Sequence, residues 1–255
     1  MEKSVFISGG TANTGLGVAE KFAKEGYNVF LSSRNKDAAE NTAKMLTEKY
    51  GVFAKGYQTL GCDESNINDI FADIEASGHL VHSVVLVAAD LGIDQEFLTV
   101  DIEDFTRVIH TNIVWNFMIV RAAAKQMMKI GSGSVVFVNS NTAYRVIPDR
   151  IAYSASKSGA LGMMRALALD LGKYHIRVNA VLPGMIKTDR WDKNPEFYEN
   201  VPSRFTPLGD VATASDIANA VWYFASDNSL NTTGAELAVD GGNMIQMYPL
   251  IPDKQ

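Results

Sequence analysis

Short apolar runs alternate with longer segments of helical period along most of this 255-residue chain. The runs at 4–8, 28–32, 83–88, 134–139, 178–182 and 236–239 are rich in Val, Ile, Leu, Phe and Ala, the pattern of strands buried on both faces. A further short strand is predicted at 52–57. Between these runs, apolar residues recur at helical spacing over 15–25, 36–50, 67–77, 102–128, 153–174 and 215–226. Such alternation predicts a parallel sheet covered by helices on both faces, a single-domain Rossmann-like, doubly wound α/β fold of about seven strands. Right-handed crossovers in that fold place a ligand at the carboxyl ends of the strands, near the point where strand order reverses. No Pro/Ser-rich linker or charge block divides the chain, so one domain is expected over 1–255. The stretch 187–213, with Pro195, Pro202 and Pro207, has no clear period and reads as a lid.

Composition narrows the partners. A formal net charge of −6 argues against nucleic acid or an anionic membrane as the main partner. The lone cysteine, Cys62, excludes an internal disulfide and fits a reducing compartment. Four scattered histidines without a Cys/His cluster offer no structural zinc site, and no metal is expected. The apolar run at 4–7 is too short for a signal-peptide core or a membrane span, so the expected location is cytoplasmic.

After the first predicted strand comes Ser8-Gly9-Gly10-Thr11-Ala12-Asn13-Thr14-Gly15-Leu16-Gly17, and a helical period follows at once. Glycines in this position let backbone N–H groups approach a pyrophosphate, and the helix N-terminus adds partial positive charge. A tight strand-to-helix connection without a ligand is the alternative. At the end of the second strand stand Ser33 and Arg34, where folds that select NAD carry a carboxylate for the ribose 2′-hydroxyl. A guanidinium there pairs with a 2′-phosphate, so NADP(H) is favoured and NAD(H) remains possible.

Tyr153 and Lys157 lie four residues apart at the start of a predicted helix, on one face. A phenol titrates near about 10 in isolation, and a neighbouring ammonium favours its anion, which suits it to general acid/base work. For the pair alone, a packed tyrosine beside a solvated lysine is the competing reading.

Taken in order along the chain, these motifs resemble the short-chain dehydrogenase/reductase family from the first strand to about Gly242. Tyr153-Ser-Ala-Ser-Lys157 is similar to the family's Tyr-x-x-x-Lys. Ser140, thirteen residues earlier, falls where the family carries its catalytic serine, and Asn112 matches the fourth tetrad member. Pro183-Gly184, with Ile186 and Thr188, is similar to the segment that holds the nicotinamide carboxamide. Cys62-Asp63 resembles the position that contacts the adenine. The resemblance implies hydride transfer between nicotinamide and a carbonyl carbon, with Tyr153 as proton donor and Ser140 bound to the substrate oxygen. It further implies that Lys157 holds the ribose hydroxyls and that the Asn112 backbone binds a relay water. Gly9, Asn13, Thr14, Gly15, Leu16 and Gly17 would surround the phosphates, and Ala89 would offer a backbone contact.

Two segments depart from the family pattern. Gly9 and Gly15 are separated by five residues, about two more than in the family's Thr-Gly-x-x-x-Gly-x-Gly, and Ser8 replaces the threonine. The family's Asn-Asn-Ala-Gly is Ala88-Ala89-Asp90-Leu91 here, which brings a carboxylate toward the cofactor. These departures prompt the alternative of a dinucleotide-binding sensor or scaffold without turnover. Asn141, Thr142, Tyr144, Ile147, Arg150, Met185 and Trp191 are expected as substrate walls; Arg145 and Arg150 are able to pair with an anion, but a surface or interface charge is the first reading of each. A sugar acid, a 3-oxoacyl thioester and a cyclic ketone all fit this small-molecule carbonyl/alcohol site. By resemblance a homotetramer is expected, a dimer next, through helices bearing Ala155, Gly159, Ala160, Met163 and Met164.

Overall fold

The computed structural model describes residues 2–188, 191, 202 and 204–250. Among them, seven parallel strands form one sheet: β1 (Ser4–Ser8), β2 (Asn28–Ser33), β3 (Ala54–Gln58), β4 (Val81–Leu86), β5 (Gly133–Val138), β6 (Ile176–Pro183) and β7 (Glu236–Val239). Their order is β3-β2-β1-β4-β5-β6-β7, so the strand order reverses between β1 and β4. The helices are α1 (Asn13–Lys24), α2 (Lys36–Tyr50), α3 (Glu64–Ala76), α4 (Ile102–Ile109), α5 (Trp115–Ile130), α6 (Ile151–Leu171) and α7 (Ala214–Ala225).

Strand alternation sorts the core into two layers. Val5 and Ile7 of β1, Val29 and Leu31 of β2 and Val85 of β4 face α1, α2 and α7. Phe6, Phe30, Val84 and Leu86 from the same strands face α3, α5 and α6. Every residue of β1 is buried, as expected of a central parallel strand covered on both sides. Among the described residues no helix is long and apolar enough to cross a membrane.

Polar groups move several ends away from the apolar pattern. The α3 helix begins at Glu64, before the first periodic apolar residue, because the Asp63 carboxylate accepts from the Ser65 and Asn66 N–H groups at 2.9 and 3.3 Å. The strand expected at 83–88 instead spans Val81–Leu86. Beyond it, the Val87 and Ala88 N–H groups donate to the Ser8 carbonyl at 3.2 and 3.0 Å.

The largest correction concerns 102–128, which reads as one helix. It is α4 and α5 joined by a π-helical turn, His110–Val114, in which the Trp115 N–H reaches back to the His110 carbonyl. The lid expected at 187–213 lies in part outside the described residues, which omit 189, 190, 192–201 and 203. Its two ends are clamped together: Lys187 N–H donates to the Ala212 carbonyl at 2.9 Å, and Ala212 N–H to that of Met185 at 3.1 Å.

Candidate active site

At the carboxyl end of β1 the chain turns through Gly9, whose φ of +74° disfavours any side chain, and a Cβ there would stand 3.0 Å from Ala88. A Cβ on Gly15 would overlap the Gly9 carbonyl oxygen. Asn13 opens α1 with φ 45°, a left-handed conformation that asparagine tolerates. The two extra residues are thereby absorbed within the turn, and α1 still starts beside the β1 tip. No side chain caps that helix N-terminus, so its first N–H groups are available to an anion. Ser8 takes over a bracing role, its hydroxyl accepting from the Val87 N–H at 3.1 Å.

Around this turn the other expected dinucleotide contacts gather at the strand tips. Ser33 ends β2, its hydroxyl accepting from the Asn35 N–H at 3.2 Å, and Arg34 is exposed beyond it. Cys62 donates its thiol to the His110 carbonyl at 3.0 Å, and burial pushes that thiol up, away from a reactive thiolate. Ala89 is exposed past β4. Pro183 closes β6, and the Gly184 N–H donates to the Val239 carbonyl at 3.1 Å. Ile186 pairs with Ala212, and the Thr188 carbonyl accepts from the Trp191 N–H at 2.9 Å.

Ser140, Tyr153 and Lys157 converge across β5 and α6. Ser140 is buried just past the β5 end and caps a short 3-10 turn, its hydroxyl accepting from the Thr142 N–H at 3.1 Å and lying 2.8 Å from the Thr142 hydroxyl. Tyr153 sits in the first turn of α6. Lys157 is only 6% exposed, and its Nζ stands 5.5 Å from the centre of the Tyr153 ring. That ammonium donates to the Val138 carbonyl at 3.3 Å, and no carboxylate pairs with it among the described residues. An ammonium has three donors, so a buried one with a single acceptor fits a partner rich in hydroxyls.

Asn112 lies in the π turn, and its side chain is fully used. Its Oδ1 accepts from the Asp90 N–H at 2.7 Å, while its Nδ2 donates to the Asp90 carbonyl at 2.8 Å and to the Ser156 hydroxyl at 2.9 Å. Ser156 in turn donates to the Tyr153 carbonyl at 2.7 Å. The β4 tip, the π turn and the first turn of α6 are therefore one hydrogen-bonded unit. The Asn112 carbonyl, expected to hold a relay water, accepts from the Asn116 side chain at 2.8 Å.

Asp90 has its carboxylate engaged by Arg107 and by the Gly92 N–H. Burial pushes its carboxyl up, but hydrogen bonds from Arg107 Nε and the Gly92 N–H, both 2.8 Å, outweigh this. With the charges of Arg107 and Arg34 added, the carboxyl sits below the usual carboxylate range.

Two expected substrate-wall side chains, and Arg145, are engaged elsewhere. Tyr144 donates to Glu236 at 2.6 Å, Arg145 to the carbonyls of Asn243 and Met244 at 2.8 and 3.2 Å, and Arg150 to both oxygens of Asp94 at 2.6 and 3.0 Å. Of the expected interface residues, Ala155 and Gly159 are exposed, whereas Ala160 and Met164 belong to the core and Met163 packs against it. Ser8, Ser156 and Asn139, whose Nδ2 donates to the Lys157 carbonyl at 3.0 Å, support the site and escaped the sequence reading. The available signal was a polar residue at a fully buried position of an apolar element.

A glycine cradle at the switch point, an uncapped helix N-terminus and a buried lysine beside a tyrosine define a dinucleotide-dependent oxidoreductase of the Rossmann type. The pattern of the family described as "Enoyl-(Acyl carrier protein) reductase" matches residues 10–243, and the chain belongs to the short-chain dehydrogenase/reductase family. It is similar to the 3-oxoacyl-[acyl-carrier-protein] reductase FabG of Chlamydia muridarum, 31% identical over 95% of this chain and 97% of that protein. The 7alpha-hydroxysteroid dehydrogenase of Clostridium sardiniense is 33% identical over 94% of this chain and 92% of that one. Among solved structures, ElxO with NADP bound superposes with a TM-score of 0.88 at 29% identity, covering 96% of this chain and all of that one.

Proposed function

We propose that this chain is an NADP(H)-dependent oxidoreductase that interconverts a carbonyl and a secondary alcohol, with Tyr153 as general acid/base. The observation that carries this reading is Lys157: a buried cation, 5.5 Å from the Tyr153 ring, with no carboxylate partner among the described residues. When bound, the nicotinamide supplies or accepts the hydride at the substrate carbon. In the reductive direction the carbonyl π bond breaks as a C–H bond forms, and Tyr153 gives its phenolic proton to the oxygen. The charge of Lys157 favours the phenolate left behind, and its remaining donors suit ribose hydroxyls. Ser140 is fixed by Thr142 and offers its hydroxyl to the substrate oxygen as negative charge develops there. Asn112 holds the Asp90 backbone against α6 and so acts as a positioning residue. Arg34 and Ser33 favour a 2′-phosphate, which supports NADP(H) over NAD(H).

The test is a carbonyl panel with NADPH and NADH, followed by nicotinamide absorbance, on wild type and Tyr153→Phe. Turnover in the wild type that falls at least ~100-fold in the variant, with dinucleotide binding retained, is expected. Turnover undiminished in Tyr153→Phe would sink the acid/base role, and binding without turnover would make the chain a sensor.

A further inference from the structure

The loops that follow β4 and β5 face each other beside Tyr153 and are tied together twice. The Gln95 N–H donates to the Asp149 carbonyl at 2.9 Å, and Arg150 grips Asp94 through two hydrogen bonds. Between them lies a groove of about 250 Å³ bordered by Gln95, Phe97, Val146, Ile147 and Ile151. Phe97 is 70% exposed, Val146 72%, Ile147 46% and Ile151 43%, so four large apolar side chains meet solvent around one concavity. Scattered exposed apolar residues are ordinary, but a cluster on a fixed concave wall is a binding feature.

The cationic groups near its edge are already engaged, and Asp149 adds an exposed carboxylate to the rim. Arg150 is neutralised by Asp94, and Arg145 is spent on backbone carbonyls near the C-terminal end. The Arg150 hydrogen bond also holds the Asp94 carboxyl below the usual carboxylate range. An incoming carboxylate or phosphate would have to displace an intramolecular partner that is tethered in place. An apolar arm only displaces water.

We infer that the substrate carries an uncharged apolar arm that lies in this groove, and that Phe97 and Ile147 set the preference for it. The inference rests on the proposed carbonyl chemistry at Tyr153 and narrows its substrate class, against a sugar acid or a phosphorylated carbonyl. A volume of about 250 Å³ is below the ~300–1,000 Å³ of pockets that enclose a whole drug-sized ligand, so the groove holds one arm and not the reacting carbon.

The test compares 2-butanone, 2-octanone and 7-oxooctanoate, the last bearing a carboxylate where 2-octanone has its terminal methyl. With wild type and NADPH, kcat/KM should rise at least ~tenfold from 2-butanone to 2-octanone and drop again by a similar factor for 7-oxooctanoate. Phe97→Ser and Ile147→Ser, both at exposed positions, should each reduce the chain-length ratio by about three- to tenfold, mainly through KM. Binding of 2-octanol to the enzyme–dinucleotide mixture, read by saturation-transfer NMR, should weaken in the same variants. That readout needs no turnover, so it separates a wrong groove from a wrong reaction. Equal or better use of 7-oxooctanoate would overturn the inference, as would variants that leave both the chain-length ratio and 2-octanol binding unchanged. Loss of self-association in Phe97→Ser with the ratio intact would assign the patch to a second copy of the chain and overturn it too.

Discussion

Replacing Asn112 by alanine removes three buried hydrogen bonds at once and separates the β4 tip from the catalytic helix. The side chain is 2% exposed, and its bonds of 2.7, 2.8 and 2.9 Å bind Asp90 N–H, Asp90 carbonyl and Ser156 hydroxyl. At about 1 kcal/mol each, with the Asp90 N–H left unpaired, the loss is roughly 3–4 kcal/mol. For a domain of this size that lowers Tm by about 6–15 °C. Ser156→Ala deletes one of the three bonds and the link to the Tyr153 carbonyl, an expected loss of about 1–2 kcal/mol. Because the two residues share a bond, the double variant should cost about 1 kcal/mol less than the sum of the singles. Circular dichroism melts of all four proteins, at one protein concentration and without dinucleotide, measure the cycle. Additivity within about 0.3 kcal/mol, or an Asn112→Ala loss under about 1 kcal/mol, would refute the idea of a single hydrogen-bonded unit. The same unit fixes the first turn of α6, so kcat in Asn112→Ala should fall at least ~tenfold while KM for dinucleotide changes less.

Other changes test separate parts of the site. Gly15→Ala drives a methyl into the Gly9 carbonyl and should abolish dinucleotide binding in a titration of nicotinamide fluorescence; retained affinity would mean that the turn does not hold the phosphates. Arg34→Ala should lower the NADPH/NADH ratio of kcat/KM at least ~tenfold, the size of a charged hydrogen bond to a 2′-phosphate, and an unchanged ratio would remove Arg34 from that role. Burial holds the His82 imidazole below its usual value despite its contact with the Leu80 carbonyl, so the unfolded chain binds that proton more readily. Stability should therefore be full above about pH 6.5 and decline as the pH falls below it, and His82→Gln should flatten that limb in melts from pH 7.5 to 5. Ala155→Arg, on the exposed face of α6, should lower the sedimentation coefficient if copies of the chain pack there.

The strand pattern was legible because β1, β4, β5 and β6 are buried on both faces, where consecutive positions are mostly apolar. Their ends were not, since a strand stops where its neighbour stops. Val87 and Ala88 are as apolar as the strand before them, yet β1 ends at Ser8 and both N–H groups converge on its last carbonyl. The π turn was invisible for a related reason. Val108, Asn112, Trp115, Asn116 and Ile119 are all buried, a spacing of three and four that any continuous helix would show. What changes is the backbone bonding at His110–Val114, and Asn112 is the one polar side chain in that series whose every hydrogen bond joins another element or turn of the site.

Charge was the least transferable signal. Arg145 and Arg150 stayed open between an anion receptor and a surface or interface charge, because a sequence shows donors without showing the acceptors that reach them. Asp94 lies 56 positions from Arg150, and the Asn243 carbonyl 98 from Arg145. Asp90 was misleading in the opposite direction, since its carboxylate has partners that the sequence does not show. With Arg107 and the Gly92 N–H it becomes a cross-brace between the β4 tip and α4, next to the positions where the family's asparagines are missing. Tyr153 and Lys157 differ from these residues because their relation is local: a four-residue helical spacing sets it, and no distant partner is needed to bring phenol and ammonium together. Local pairs could therefore be read from this sequence, and long-range ion pairs could not.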